Sequence, residues 1–262
     1  MGVEKKKGEL KMRKVKVFLL IGVIISILIT SLIITTATDL TAEEIINMRD
    51  DNEYFNTAEM EADMIIASGS RIITKTMVAL SDRKNSLVEF TNSQDRGTKF
   101  LKREDDLWMF FPDAEEIIKI SGHMLNQGMM GSDFSYQDVM ESDKLTDLYD
   151  FEIIKEEELD GRLCYVLEGI AKEGIKVSYY RRVSWIDKER FIGLKEELYA
   201  QSGRILKETK VNKIEEIEGR LIAVDSVMEN MLRKNTYTQF IITRISFNPE
   251  IPEEKFSLQN LR

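Results

Sequence analysis

From residue 72 onward, apolar and polar positions alternate with a period of two. Ile72, Thr74, Thr76, Val78 and Leu80 interleave with Ile73, Lys75, Met77 and Ala79, the pattern of a strand with unlike faces. Comparable runs cover 86–91, 98–103, 107–111 and 116–120, then 149–156, 162–170, 177–187 and 193–200, and finally 204–211, 220–229 and 236–247. Asp160-Gly161, Ser202-Gly203 and Glu218-Gly219 fall between such runs and are hairpin signals. Strands never alternate with helices along the chain, which excludes a parallel α/β sheet. The pattern predicts an all-β domain with minor α: an antiparallel meander that curls into a barrel, half-barrel or sandwich.

Two segments depart from this rhythm. Thr41-Ala42-Glu43-Glu44 forms a capping box and predicts a short helix through Met48. Residues 121–136 hold three glycines and three methionines, too apolar for a solvated loop and too glycine-rich for a stable helix or strand. Ser135 with Asp138 then resembles the N-cap of a short helix through Glu141. Methionine is flexible and polarisable, suited to surfaces that repack around varied apolar ligands. The loop therefore reads either as a plug in the sheet's concave face or as a ligand lid. As a lid it has hinges at Gly122, Gly128 and Gly131, and an underside of Met124, Leu125, Met129, Met130 and Phe134, followed by Tyr136.

The N-terminus has a different pattern. Lys5, Lys6, Lys7, Lys11, Arg13, Lys14 and Lys16 precede an uncharged 18-residue run, 17–34. At helical rise that run reaches roughly 27 Å, enough for one crossing. A basic flank before an apolar run places the N-terminus in the cytoplasm and the body outside. Residues 1–38 are thus expected to form an N-terminal hydrophobic helix, either a retained transmembrane anchor or a signal peptide cleaved after Ala37. Residues 39–262 are expected to be one extracytoplasmic domain, with only Pro112, Pro249 and Pro252 as prolines and no Pro-rich linker.

Charge narrows the partners. The 262-residue chain carries a net charge of −9; residues 1–38 contribute +5 and the remainder −14. An acidic body disfavours nucleic acid, opposes self-association and argues for a monomer. It also argues against an anionic lipid surface as the main docking partner. Chemistry is sparse. His123 is the sole histidine and Cys164 the sole cysteine, so neither a Ser-His-Asp or Cys-His arrangement nor a structural zinc site can be assembled. No Gly-rich nucleotide motif is present, and no cofactor is expected. Acidic pairs such as Asp50-Asp51 and Asp105-Asp106 flank turns and read as solvated charge. The expectation is a protein without a catalytic site.

Two further features bear on a ligand. Val177, Tyr179, Arg181, Val183 and Trp185 share one strand face, so Arg181 must meet either an internal carboxylate or a ligand head group. Trp108 and Phe110 share one face of their strand and Met109 and Phe111 the other, so this strand is covered on both sides, by core or by the lid.

At Gly128-Met129-Met130-Gly131-Ser132-Asp133-Phe134-Ser135-Tyr136 the chain resembles the outer membrane lipoprotein-sorting, LolA/LolB-like family. The likeness extends through Ser86-Leu87-Val88-Glu89-Phe90, Asp106-Leu107-Trp108-Met109-Phe110-Phe111-Pro112, Leu159-Asp160-Gly161 with Cys164-Tyr165, Trp185-Ile186-Asp187, and Ile251-Pro252 with Phe256. The resemblance implies a curved antiparallel sheet forming an incomplete barrel, with helices and loops in a concavity that receives acyl chains. The expected function is non-catalytic binding and transfer of a lipid or lipidated protein. The alternative is a membrane-anchored interaction module that docks on a membrane-protein partner such as a transporter. Met124, Leu125, Met129, Met130, Phe134, Tyr136, Trp108, Phe110 and Arg181 are the candidate lipid-contacting residues.

Overall fold

Thirteen strands form one sheet in which every neighbouring pair is antiparallel. The strands are β1 Thr57–Ser68, β2 Arg71–Asp82, β3 Asn85–Phe90, β4 Lys99–Arg103, β5 Asp106–Phe111, β6 Glu116–Ile120, β7 Tyr149–Leu159, β8 Arg162–Ala171, β9 Arg181–Asp187, β10 Gly193–Tyr199, β11 Ile205–Ile217, β12 Arg220–Asn230 and β13 Thr236–Phe247. This is a computed structural model that describes residues 39–141 and 144–262. The sheet order is β6-β5-β4-β3-β2-β1-β13-β12-β11-β10-β9-β8-β7. Edge strands β6 and β7 do not pair, so the sheet is an open half-barrel with a few helices. The apolar run 17–34 lies outside the described residues. Among those residues no helix is long and apolar enough to cross a membrane.

Turn chemistry explains much of the meander. Asp160 and Gly161, and likewise Glu218 and Gly219, all take positive φ, the mirror-image turn that matches the right-handed twist of paired strands. Helix α1, Ala42–Glu53, starts at the expected box: the Thr41 hydroxyl accepts from the Glu44 amide at 3.2 Å, and the Glu44 carboxylate accepts from the Thr41 amide at 2.8 Å. It runs past Met48 because Arg49 pairs with Glu53 one turn on, at 3.0 Å. Ile45 and Ile46 are fully buried against the sheet.

Two expectations need correction. The sequence pattern missed β1, whose residues Thr-Ala-Glu-Met-Glu-Ala-Asp-Met favour helix by intrinsic propensity. Placement between β2 and β13 overrides that preference and buries Ala62, Met64 and Ile66 in the core. In addition, β9 begins at Arg181, so Val177 and Tyr179 lie in the connection before it rather than on a strand with Arg181.

Register fixes the two faces. Across the strand pairs, Met77, Ala62, Ile242, Met64 and Phe240 share a face with Ser226, Val211, Met228, Thr209, Glu196 and Ser184. This is the inner face. Its core joins Met64, Met77, Phe90, Phe100, Met109 and Tyr136. The outer face of β3 to β6 is covered instead by the C-terminal segment, through Phe256 and Leu261.

Candidate functional site

The segment between the edge strands, 121–148, crosses the inner face. It comprises 3₁₀ turns Gly122–Asn126 and Met129–Gly131, helix α2 Tyr136–Met140 and helix α3 Leu145–Leu148. Met129 and Tyr136 are buried in the inner core, and Met124, Leu125, Met130, Val139 and Met140 pack against it. Tyr136 donates to the Met109 sulfur at 3.9 Å, and Phe134 meets Phe240 edge-on with centroids 6.2 Å apart.

The backbone of this segment is tightly specified. Gly122 and Gly131 have positive φ, where glycine is favoured. Gly128 does not; a Cβ there would lie 2.2 Å from the Ser132 carbonyl oxygen, so close approach requires glycine at that position. Met130 itself sits at φ 53. Polar ties hold the segment to β13. Asp133, 3% exposed, accepts from the Thr238 hydroxyl at 2.8 Å, and its amide donates to the same hydroxyl at 2.9 Å. The Thr236 hydroxyl follows at 3.3 Å and Arg233 at 3.5 Å. Asp133→Ala is expected to leave the Thr238 hydroxyl without its carboxylate acceptor, keeping only the residue-133 amide as partner, and cost about 2–3 kcal/mol. Hydrogen exchange should then show amides 128–136 losing protection before those of β1 and β13.

Beyond α2 the inner face changes character. Arg182, Glu196, Lys207 and Thr209 replace the apolar floor, and a cavity of about 540 Å³ opens among Arg182, Glu196, α1 and the segment's second half. Arg49, Glu53, Asp138, Glu141, Arg182 and Glu196 line it. Asp138 links the two halves. It accepts from the Ser135 amide and the Tyr179 hydroxyl, both at 2.6 Å, and is ion-paired with Lys207. Burial and the Asp138 carboxylate push the Tyr179 phenol well above its ordinary value. Burial likewise pushes Tyr149 up to about 12. Arg182, 5% exposed, lies over the Tyr149 ring at 4.7 Å, with its Nε 3.5 Å from Glu196. The Arg182 Nε has no hydrogen-bond partner among the described residues. A group with an apolar tail and a polar or charged head matches this pairing of floor and cavity.

The sequence candidates divide accordingly. Met124, Leu125, Met129, Met130, Phe134 and Tyr136 come together on the inner face, with Met109 beneath them. Trp108 and Phe110 do not join them; they pack under the C-terminal segment on the outer face. Arg181 also points outward, donating to Glu168 at 2.6 Å and stacking on Tyr199 at 3.7 Å. Arg181→Met is expected to cost only about 1–2 kcal/mol in urea unfolding, since the pair is about a quarter exposed. The cavity residues Arg182 and Glu196, and Lys207 paired with Asp138, carry no sequence signal of their own. Alternation places Arg182 opposite Arg181, but only the fold tells which side is inside. Cys164 is buried with its thiol pushed up by burial, and His123 is exposed.

An open antiparallel sheet with a tethered segment in its concavity is the architecture of the LolA-like half-barrels. A DUF1329 family protein from Desulfovibrio piger superposes with a TM-score of 0.77 at 24% identity, over 84% of this chain and 99% of that one. A domain assigned to outer membrane lipoprotein sorting from Vibrio parahaemolyticus gives 0.73 at 23% identity, and a LolA superfamily protein from Nitrosomonas europaea gives 0.71 at 23%, each with the same coverage. The resemblance drawn from the sequence therefore holds for the fold. A family model described as "Uncharacterized protein" matches residues 82–262, and the chain belongs to that family. No curated protein matches it.

Proposed function

We propose that this chain binds an amphiphilic lipid, free or as the acyl chains of a lipoprotein, in the concavity of the half-barrel and hands it on without covalent chemistry. One observation carries the reading: an apolar floor under a methionine-rich segment lies directly beside a polar cavity. Acyl chains would take the place of Met129 and its neighbours, while a head group would meet Arg182 and the carboxylates around it. Lipoprotein sorting, named for the Vibrio relative, is the activity this arrangement suits. Residues 1–38 would deliver or tether the 39–262 domain on the extracytoplasmic side, where the domain would act as a monomer.

Native mass spectrometry of the full chain, extracted from a bacterial membrane fraction in mild detergent, tests this. A lipid adduct that disappears when Met124 and Met130 are replaced by glutamate is the expected result. A ligand-free domain that also fails to bind a fluorescent fatty acid would overturn it. The second reading, an interaction module docking on a membrane protein, is favoured by how fully Met129 and Tyr136 are seated. Under that reading a transporter co-purifies with a lipid-free chain.

A further inference from the structure

We propose that one end of the sheet is a docking edge for a bilayer surface containing anionic phospholipid. Three turns line up there. The β1–β2 turn lies beside the β12–β13 turn, since the Gly69 amide donates to the Asn235 carbonyl at 2.9 Å. The β12–β13 turn in turn adjoins the start of β11, because the Met231 amide donates to the Leu206 carbonyl at 2.9 Å. The β10–β11 turn closes at that same end, through the Ala200 amide and the Arg204 carbonyl at 2.9 Å.

These turns expose Ile72, Met231, Leu232 and Tyr237, with Ile72 65% and Leu232 47% accessible. Beside them stand Arg71, Arg204, Arg233 and Lys234, all exposed. Segments 68–72, 200–205 and 230–237 contain no Asp or Glu, in a chain with 46 acidic and 37 basic residues. At the opposite end, the β7–β8 and β11–β12 turns carry Glu158, Asp160, Glu215, Glu216 and Glu218. The connection 172–180 extends the basic end with exposed Ile175 and Lys176, and holds one carboxylate, Glu173.

Within these three turns, apolar tips set among cations match an interface where side chains enter the acyl boundary and guanidinium and ammonium groups meet lipid phosphates. Exposed Glu229, and the β5–β6 turn at the same end with Asp113, Glu115 and Glu116, bound the patch. The net −14 of residues 39–262 would repel such a surface from every other side, so the edge also sets orientation. Arg233 reaches Asp133 at 3.5 Å, which places the edge next to the polar tie of the segment over the inner face. The inference does not depend on what the concavity holds.

The test uses the full chain reconstituted in phosphatidylcholine vesicles with and without phosphatidylglycerol. Leu232→Cys is labelled with an environment-sensitive fluorophore; Cys164 is buried and stays unlabelled. The same label at Glu216→Cys reports the opposite end. With phosphatidylglycerol, the label at 232 should shift to the blue and be quenched by bilayer-embedded quencher, while that at 216 is unaffected. Arg71→Glu, Arg204→Glu and Lys234→Glu together should weaken the bound population about tenfold or more. If circular dichroism shows that the triple variant does not fold, Lys234→Glu alone should move the signal the same way. A label at 232 that stays in water, that responds equally without phosphatidylglycerol, or that ignores charge reversal would overturn the proposal.

Discussion

Met129→Asp is expected to destabilise the domain by about 3–5 kcal/mol in denaturant unfolding. The side chain is 7% exposed and belongs to the same apolar cluster as Phe100, Met109 and Tyr136. A carboxylate there loses the methionine's packing and carries an uncompensated charge into the core. Met130→Asp should cost far less, about 1 kcal/mol or below. That residue is only half-buried, and its φ of 53 is one that aspartate accepts more readily than methionine. The pair of variants also separates lid from plug. Should Met129→Asp abolish binding of a fluorescent fatty acid while melting near the parental temperature, the segment opens independently of the sheet. A drop in melting temperature that unfolds the strands makes the segment part of the core.

Lys207→Met carries the second large effect, again about 3–5 kcal/mol. The Lys207 and Asp138 side chains are only 10% and 12% exposed. Removing the lysine leaves the Asp138 carboxylate in a cavity that already holds Glu141 and Glu196. Breaking one side of a largely buried pair costs more than the pair contributes, because the remaining charge keeps little contact with solvent. Lys207→Met combined with Asp138→Asn should therefore recover most of the loss. The double-mutant cycle, read from urea midpoints, is the measurement. Equal destabilisation by the single and double variants would mean that the Ser135 amide and Tyr179 hydroxyl suffice for Asp138.

What could be read from the sequence follows the range of the forces involved. Asp160-Gly161 and Glu218-Gly219 mark their hairpins because turn geometry is local, and the Thr41–Glu44 box marks the start of α1 for the same reason. β1 was hidden because Ala, Glu and Met look helical until two neighbouring strands compete for their backbone. The Met/Gly segment stood out by composition, and its apolar residues do meet. Alternation separated Arg181 from Arg182 and Trp108 from Met109. It could not say which member faces inward, since an apolar strand face can be covered by the 121–148 segment or by the C-terminal tail. Asp138 was legible as a cap, whereas its partner Lys207 lies 69 residues away.

The strand order also bears on how the chain reaches this state. β1 to β6 and β7 to β13 are two meanders in which each strand pairs with its sequence neighbour. The single distant pairing in the sheet is the central seam, where Ala58 sits opposite Phe247 and Ser68 opposite Thr236. Each half can form from quick local hairpins, but joining them requires closing a loop that contains most of the domain. The seam is thus expected to be the slow step of folding. Until it closes, β1 and β13 both present unpaired edges, and that interval is when a newly made chain is most exposed to pairing with another copy of itself.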